Sequence, residues 1–180
     1  MAATATVPIE LTLDEYLHST YHPDCDFVDG HIEERHLGEY EHSILQAEIA
    51  SWFIQRRKEW TIRVTTEYRT RVTPTRIRIP DVSIFPAGGP IEKVRTTPPL
   101  LAIEILSPED RLPRVLTRLN DFLTMGVPNL WLIDPSAADP SARSAFIYSA
   151  TGLQLVEAPR LTIANSPIYL DLPEIFSALD

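Results

Sequence analysis

The sequence predicts an α/β fold, a mixed sheet with flanking helices, and three observations carry that prediction. Leu100-Leu-Ala-Ile-Glu-Ile-Leu106 is a short run that is apolar on both faces apart from Glu104, as expected of a central strand. From about Pro113 to Met125, Val115, Leu116, Leu119, Phe122 and Leu123 recur at helical spacing, and Leu130-Trp-Leu-Ile133 is a second buried run. Strand, helix and strand in that order call for a right-handed crossover and parallel pairing. Third, Ile62, Val64, Tyr68 and Val72 alternate with Arg63, Glu67, Arg69 and Arg71, the pattern of a half-buried strand.

The remaining elements follow in chain order. Thr12-Leu-Asp-Glu15 forms a capping box that opens a short helix through Leu17, because hydroxyl and carboxylate satisfy each other's backbone donors. Phe27 to Glu33 reads as a hairpin whose Asp29-Gly30 turn supplies the positive-φ positions. Leu45, Ile49, Trp52 and Phe53 place one apolar face on a helix from His42 to about Arg57, with a basic end suited to the helix dipole. Pro74 ends the alternating strand, and Ile77 to Ile79 with Val82 to Phe85 read as a returning strand disturbed at Pro80. Gly126 stops the second long helix. Residues 136–143 form a loop, and Ala145 to Tyr148 with Leu153 to Val156 form an added hairpin around Thr151-Gly152. The tail carries Ile168 to Leu172 and a short segment from Pro173. With 180 residues and no repeat or linker, the expectation is one domain over 1–180, its core about 12–157 and an extension over 158–180.

Composition narrows the function classes. A lone cysteine, Cys25, forms neither an internal disulfide nor a Cys-type zinc cluster, which fits a reducing compartment. The N-terminus lacks a basic and an apolar signal region, and no stretch approaches the roughly 20 apolar residues of a membrane span. A soluble, cytoplasmic chain without a membrane partner is expected. The net charge of −9 opposes indiscriminate binding to polyanions, but the charge is uneven. Residues 1–41 hold ten acids and one arginine, whereas 56–78 hold eight of the sixteen basic residues. Arg69, Arg71, Arg76 and Arg78 in that segment form either a phosphate-facing patch or a solvated face.

Glu104 is the most informative residue. A carboxylate within an apolar central strand must be protonated, hydrogen-bonded, paired with a cation or bound to metal. Asp81, in Ile79-Pro-Asp-Val82, opens the preceding apolar segment, and the connection through Gly88-Gly89 lets the two strands lie side by side. Two such carboxylates make a hard oxygen site for Mg²⁺ or Mn²⁺, able to polarise a phosphodiester. The alternative is Glu104 paired with Arg78 or Arg118, and Asp81 as a turn cap.

Together Phe27-Val-Asp-Gly30, His42, Pro80-Asp-Val82, Glu104-Ile-Leu-Ser-Pro108 and Gly126-Val-Pro-Asn-Leu-Trp-Leu-Ile-Asp-Pro135 resemble the bacterial Uma-two-type family of restriction endonucleases, over residues 12–157. The resemblance implies a PD-(D/E)XK core and Mg²⁺-dependent hydrolysis of DNA, with Asp81 and Glu104 as the family acids. The superfamily lysine is absent: its usual place holds Leu106, and the position on the next helix where relatives carry lysine holds Arg118. Arginine stabilises developing charge but stays protonated and cannot serve as a general base. Either Arg118 gives electrostatic support, or the chain is a catalytically silent scaffold, nucleic-acid-binding or homodimeric. By its family match His42 would meet a substrate phosphate or stand beside the metal's ligands, unless it is structural. Asp26 would add a site acid or is solvated; Ser107 would hydrogen-bond near the metal or merely end a strand. Cys25 reads as structural.

Overall fold

The computed structural model describes residues 10–35, 39–136 and 139–180. The N-terminal helix α1 (Leu13–His18) carries the expected capping box: the Glu15 backbone N–H donates to Thr12 Oγ1, and the Thr12 N–H donates to the Glu15 carboxylate. The strands β1 (Asp26–Val28) and β2 (His31–Glu33) form the hairpin, turned by Asp29 and Gly30 at φ 49° and 90°. Helix α2 spans Tyr40–Arg56, starting two residues before His42.

The alternating run from Ile62 does not form one strand. It splits into β3 (Ile62–Thr66) and β4 (Thr70–Thr73), which join different sheets, with Glu67 at φ 49° between them. The return is split likewise, into β5 (Arg76–Arg78) and β6 (Val82–Pro86). Next come β7 (Leu101–Ile105), helix α3 (Leu112–Met125) and β8 (Leu130–Asp134), with β7 and β8 parallel as expected. Gly126, at φ 96°, takes the left-handed conformation that ends α3. The strands β9 (Ser144–Ser149) and β10 (Gly152–Leu155) form the added hairpin. The tail holds β11 (Arg160–Thr162), β12 (Tyr169–Asp171) and helix α4 (Leu172–Ser177).

Three sheets result: β2-β1-β5-β4, the mixed six-stranded β10-β9-β8-β7-β6-β3, and the pair β11-β12. One face of the large sheet presents Val82, Ile84, Ile103, Ile105, Trp131 and Ile133 to Leu45, Ile49 and Phe53 of α2, in a cluster that also takes Leu161, Leu170 and Ile175 from the tail. The other face packs Ala102, Leu130 and Leu132 against Val115, Leu119 and Phe122 of α3, with Val72 of β4 beyond. Helix α3 thus sits between the four- and six-stranded sheets, and α1 covers the four-stranded one through Tyr16, Phe27 and Ile77. No helix among the described residues is long and apolar enough to cross a membrane.

Candidate active site

The site forms where β6 and β7 leave the apolar layer. Val82 pairs with Ile103 in antiparallel register, so one step further along Asp81 and Glu104 stand opposite each other on the α3 face of the sheet. Both are buried, and no hydrophobic neighbour compensates for their lost hydration. The two acids solve the problem differently.

Asp81 is saturated with donors. Its Oδ1 accepts from Arg35 Nη2 at 2.6 Å, and its Oδ2 accepts from the Ile105 backbone N–H at 2.8 Å. His42 Nε2 lies 3.3 Å from Oδ2. Gln46 Nε2 of α2 donates to the Asp81 carbonyl, fixing the backbone as well. Burial alone would raise the Asp81 carboxyl; the His42 bond and the Arg35 charge outweigh it and hold the carboxyl below its ordinary range. In return, Asp81 raises His42 against the opposing effect of burial.

Glu104 is less well served. Arg118 Nη2 of α3 lies 3.0 Å from Oε2, while Oε1 is buried without a hydrogen-bond partner. Burial, opposed by the Arg118 charge and reinforced by that of Asp81, pushes Glu104 up to about 7. Arg118 also reaches Asp110 at 3.5 Å, and Asp110 in turn accepts from the Ser107 backbone N–H. A cavity of about 20 Å³ opens here, lined by Arg35, His42, Asp81, Ile105, Ser107, Asp110 and Arg118. A neighbouring cavity of about 320 Å³ shares His42 and Ser107 and is rimmed by Glu39, Glu41 and Asp134. A cavity of about 620 Å³ lies elsewhere, beside edge strand β3.

His42, Ser107 and Arg118 therefore gather at the two acids. Asp26 has no hydrogen bond to them among the described residues, nor is it solvated: it is buried against Arg78, accepts from the Ile79 N–H, and its charge reaches Glu104, Arg35 and Arg118. The basic patch is also redrawn. Arg78 is 1% exposed and donates to Asp26, Glu33 and Asp121; Arg76 binds Asp29 and Asp121; Arg69 binds Asp24 through two nitrogens. These three guanidiniums neutralise the protein's own carboxylates, which leaves Arg71, which donates to the Pro74 carbonyl, as the patch member without a carboxylate partner among the described residues. Cys25 is buried and free, as its structural reading expects.

Arg35 was not foreseen from the sequence. Period two carried onward from Glu33 puts it on the Asp26 side of the hairpin, but no feature of the sequence shows that this side reaches Asp81.

A family profile described as "Putative restriction endonuclease", Uma2, matches residues 13–175. The chain belongs to the Uma2 family. Among solved structures, the chain is similar to the crystal structure of a "putative nuclease belonging to DUF820" from Anabaena variabilis ATCC 29413. The identity is 25% and the TM-score 0.78, over 94% of this chain and 99% of the other. No curated protein matches. The Uma2 fold accordingly has the restriction-endonuclease-like architecture, and the mixed sheet carries Asp81 and Glu104 at one end of adjacent strands.

The donor set fits a hard divalent ion through two oxygens. Glu104 Oε1 is a buried carboxylate oxygen with no hydrogen-bond partner among the described residues, and Asp81 stands one step beyond the Val82–Ile103 pair, on the side of Glu104. No group of three or more acids, histidines or cysteines placed to hold a metal occurs among the described residues.

Proposed function

We propose that this Uma2 protein is a divalent-metal-dependent nuclease that hydrolyses DNA phosphodiester bonds, with Asp81 and Glu104 as the metal ligands. The observation that carries the reading is the pair of buried carboxylates in direct register, one with an unpartnered oxygen. The family description and the nuclease fold of the Anabaena protein support the reaction class. Mg²⁺ or Mn²⁺ bound there would polarise the phosphodiester and neutralise charge on the leaving oxygen.

The chain's own residues supply the rest. Arg118, held between Glu104 and Asp110, orients Glu104 and presents a permanent positive charge toward the phosphoryl oxygens. His42, whose Nδ1 is buried without a partner, is oriented by Asp81 through Nε2 and can hold a proton at the edge of the site. Ile105 fixes the Asp81 rotamer through its backbone N–H. The absent lysine leaves no side chain here that alternates between ammonium and amine, so proton removal falls to His42 or to solvent.

Calorimetric titration of Mn²⁺ tests the reading. Wild type binds saturably, Asp81→Asn and Glu104→Gln abolish binding, and both lose plasmid cleavage by at least about a hundredfold. Intact cleavage in Asp81→Asn would refute the assignment.

A second reading has its own observation. Asp81 already satisfies Arg35, Ile105 and His42, as expected of a scaffold that keeps the acids for structure. Such a scaffold would act through a surface, and edge strand β3 with Ile91, 90% exposed, is available for a second copy. In that case Mn²⁺ leaves the melting temperature of wild type unchanged.

A further inference from the structure

The two carboxylates differ in what a cation arriving between them would meet. Glu104 offers Oε1 without displacing anything, because Arg118 engages only Oε2. Asp81 has a donor on each oxygen. The Ile105 N–H belongs to the end of β7 and cannot withdraw without opening the strand. His42 is anchored in the first turn of a helix whose Leu45 and Ile49 are fully buried. Arg35 alone can leave. It lies beyond the end of β2, its side chain is 14% exposed, and Glu67 stands 3.6 Å from its Nη1 with a side chain 56% exposed.

We propose that Arg35 is a resident counter-cation of Asp81 that a divalent metal ion must displace, and that it swings to Glu67 when the ion binds. The inference rests on the metal reading above. Arg35 competes with the ion and keeps Asp81 compensated in its absence. Once released toward the half-exposed Glu67, the guanidinium lies at the mouth of the site, where a substrate phosphate can recruit it. Arg35 is thus a positioning residue that couples metal loading to the arrangement of cations facing the substrate.

Calorimetry with Mn²⁺ alone on wild type and Arg35→Gln provides the test, read together with melting temperature. Arg35→Gln is expected to bind Mn²⁺ roughly tenfold more tightly, within the usual range of coupling between competing ligands. It should also melt lower than wild type without metal and recover on addition of Mn²⁺. Equal or weaker binding in Arg35→Gln, with wild type still binding, overturns the proposal and leaves the metal reading standing. Absence of binding in both proteins overturns the metal reading itself. Should Arg35→Gln fail to fold, wild type decides the matter. The Arg35 Nε–H resonance, assigned by its loss in Arg35→Lys, should shift in step with Mg²⁺ saturation. An unmoved resonance at saturation overturns the proposal.

Discussion

Glu104 is caught between two requirements, since a metal ligand must be ionised while its surroundings favour the neutral acid. Its folded-state value of about 7 lies above the ordinary 4.5, chiefly through burial. Between those values the native state holds a proton that the unfolded chain has released, so stability falls as pH rises through the window. Glu104→Gln is neutral throughout. Melting temperatures from pH 4.5 to 8 should therefore decline more steeply for wild type than for Glu104→Gln, and parallel curves would contradict the assignment. Metal binding runs in the opposite direction: Mn²⁺ affinity should increase as pH rises through about 7, as Glu104 gives up its proton. Asp81 adds nothing in that window, because its carboxyl lies below the ordinary range and stays ionised until stronger acid.

Among the elements, β7, α3 and β8 hold the site, and their ends matter as much as their faces. Gly126 closes α3 at φ 96° and leads into β8, and a Cβ there would meet Pro98 Cγ at an ordinary 3.8 Å. Gly126→Ala therefore loses stability through backbone strain rather than collision, about 1 kcal/mol, measurable by urea unfolding. This β7-α3-β8 unit was legible in the sequence because burial on both faces leaves uninterrupted apolar runs, and because amphipathic α3 keeps strict helical spacing. Residues 62–72 were misleading for a related reason. Alternation continues through the turn at Glu67, so periodicity does not reveal that β3 and β4 belong to separate sheets. Strand β11 offers one buried residue, Leu161, and hence no period to detect. Asp81 and Glu104 could be singled out because an acid beside or within an apolar run stands out on sequence alone. Arg35 could not, because its partner lies 46 residues away in a different sheet context. The arginines of 56–78 clustered by count, but their partners Asp24, Asp26, Asp29 and Asp121 come from distant segments, and local composition contains no trace of them.

At the scale of the molecule, the four-stranded sheet and α3 are tied together by charge as well as by apolar packing. Arg78 of β5 reaches Asp26 of β1, Glu33 of β2 and Asp121 of α3. Burial raises the Asp26 carboxyl, against the pull of Arg78. Removing the guanidinium strands Asp26 and Asp121 in the interior, and Arg78→Met should cost about 3–5 kcal/mol by denaturant unfolding. A loss below about 1 kcal/mol would show that the pairs behave as surface ion pairs do. Replacing Arg78, Asp26 and Asp121 together by apolar residues of matching volume should recover most of the loss.

That last comparison bears on how such a chain can vary over time. A guanidinium shared by three carboxylates from three elements makes the positions unequal: losing Arg78 strands the buried Asp26 and Asp121, whereas losing one carboxylate leaves the guanidinium with two others. Arg78 should therefore be retained for as long as either buried acid remains, whereas Arg71, which has no carboxylate partner among the described residues, is free to drift alone.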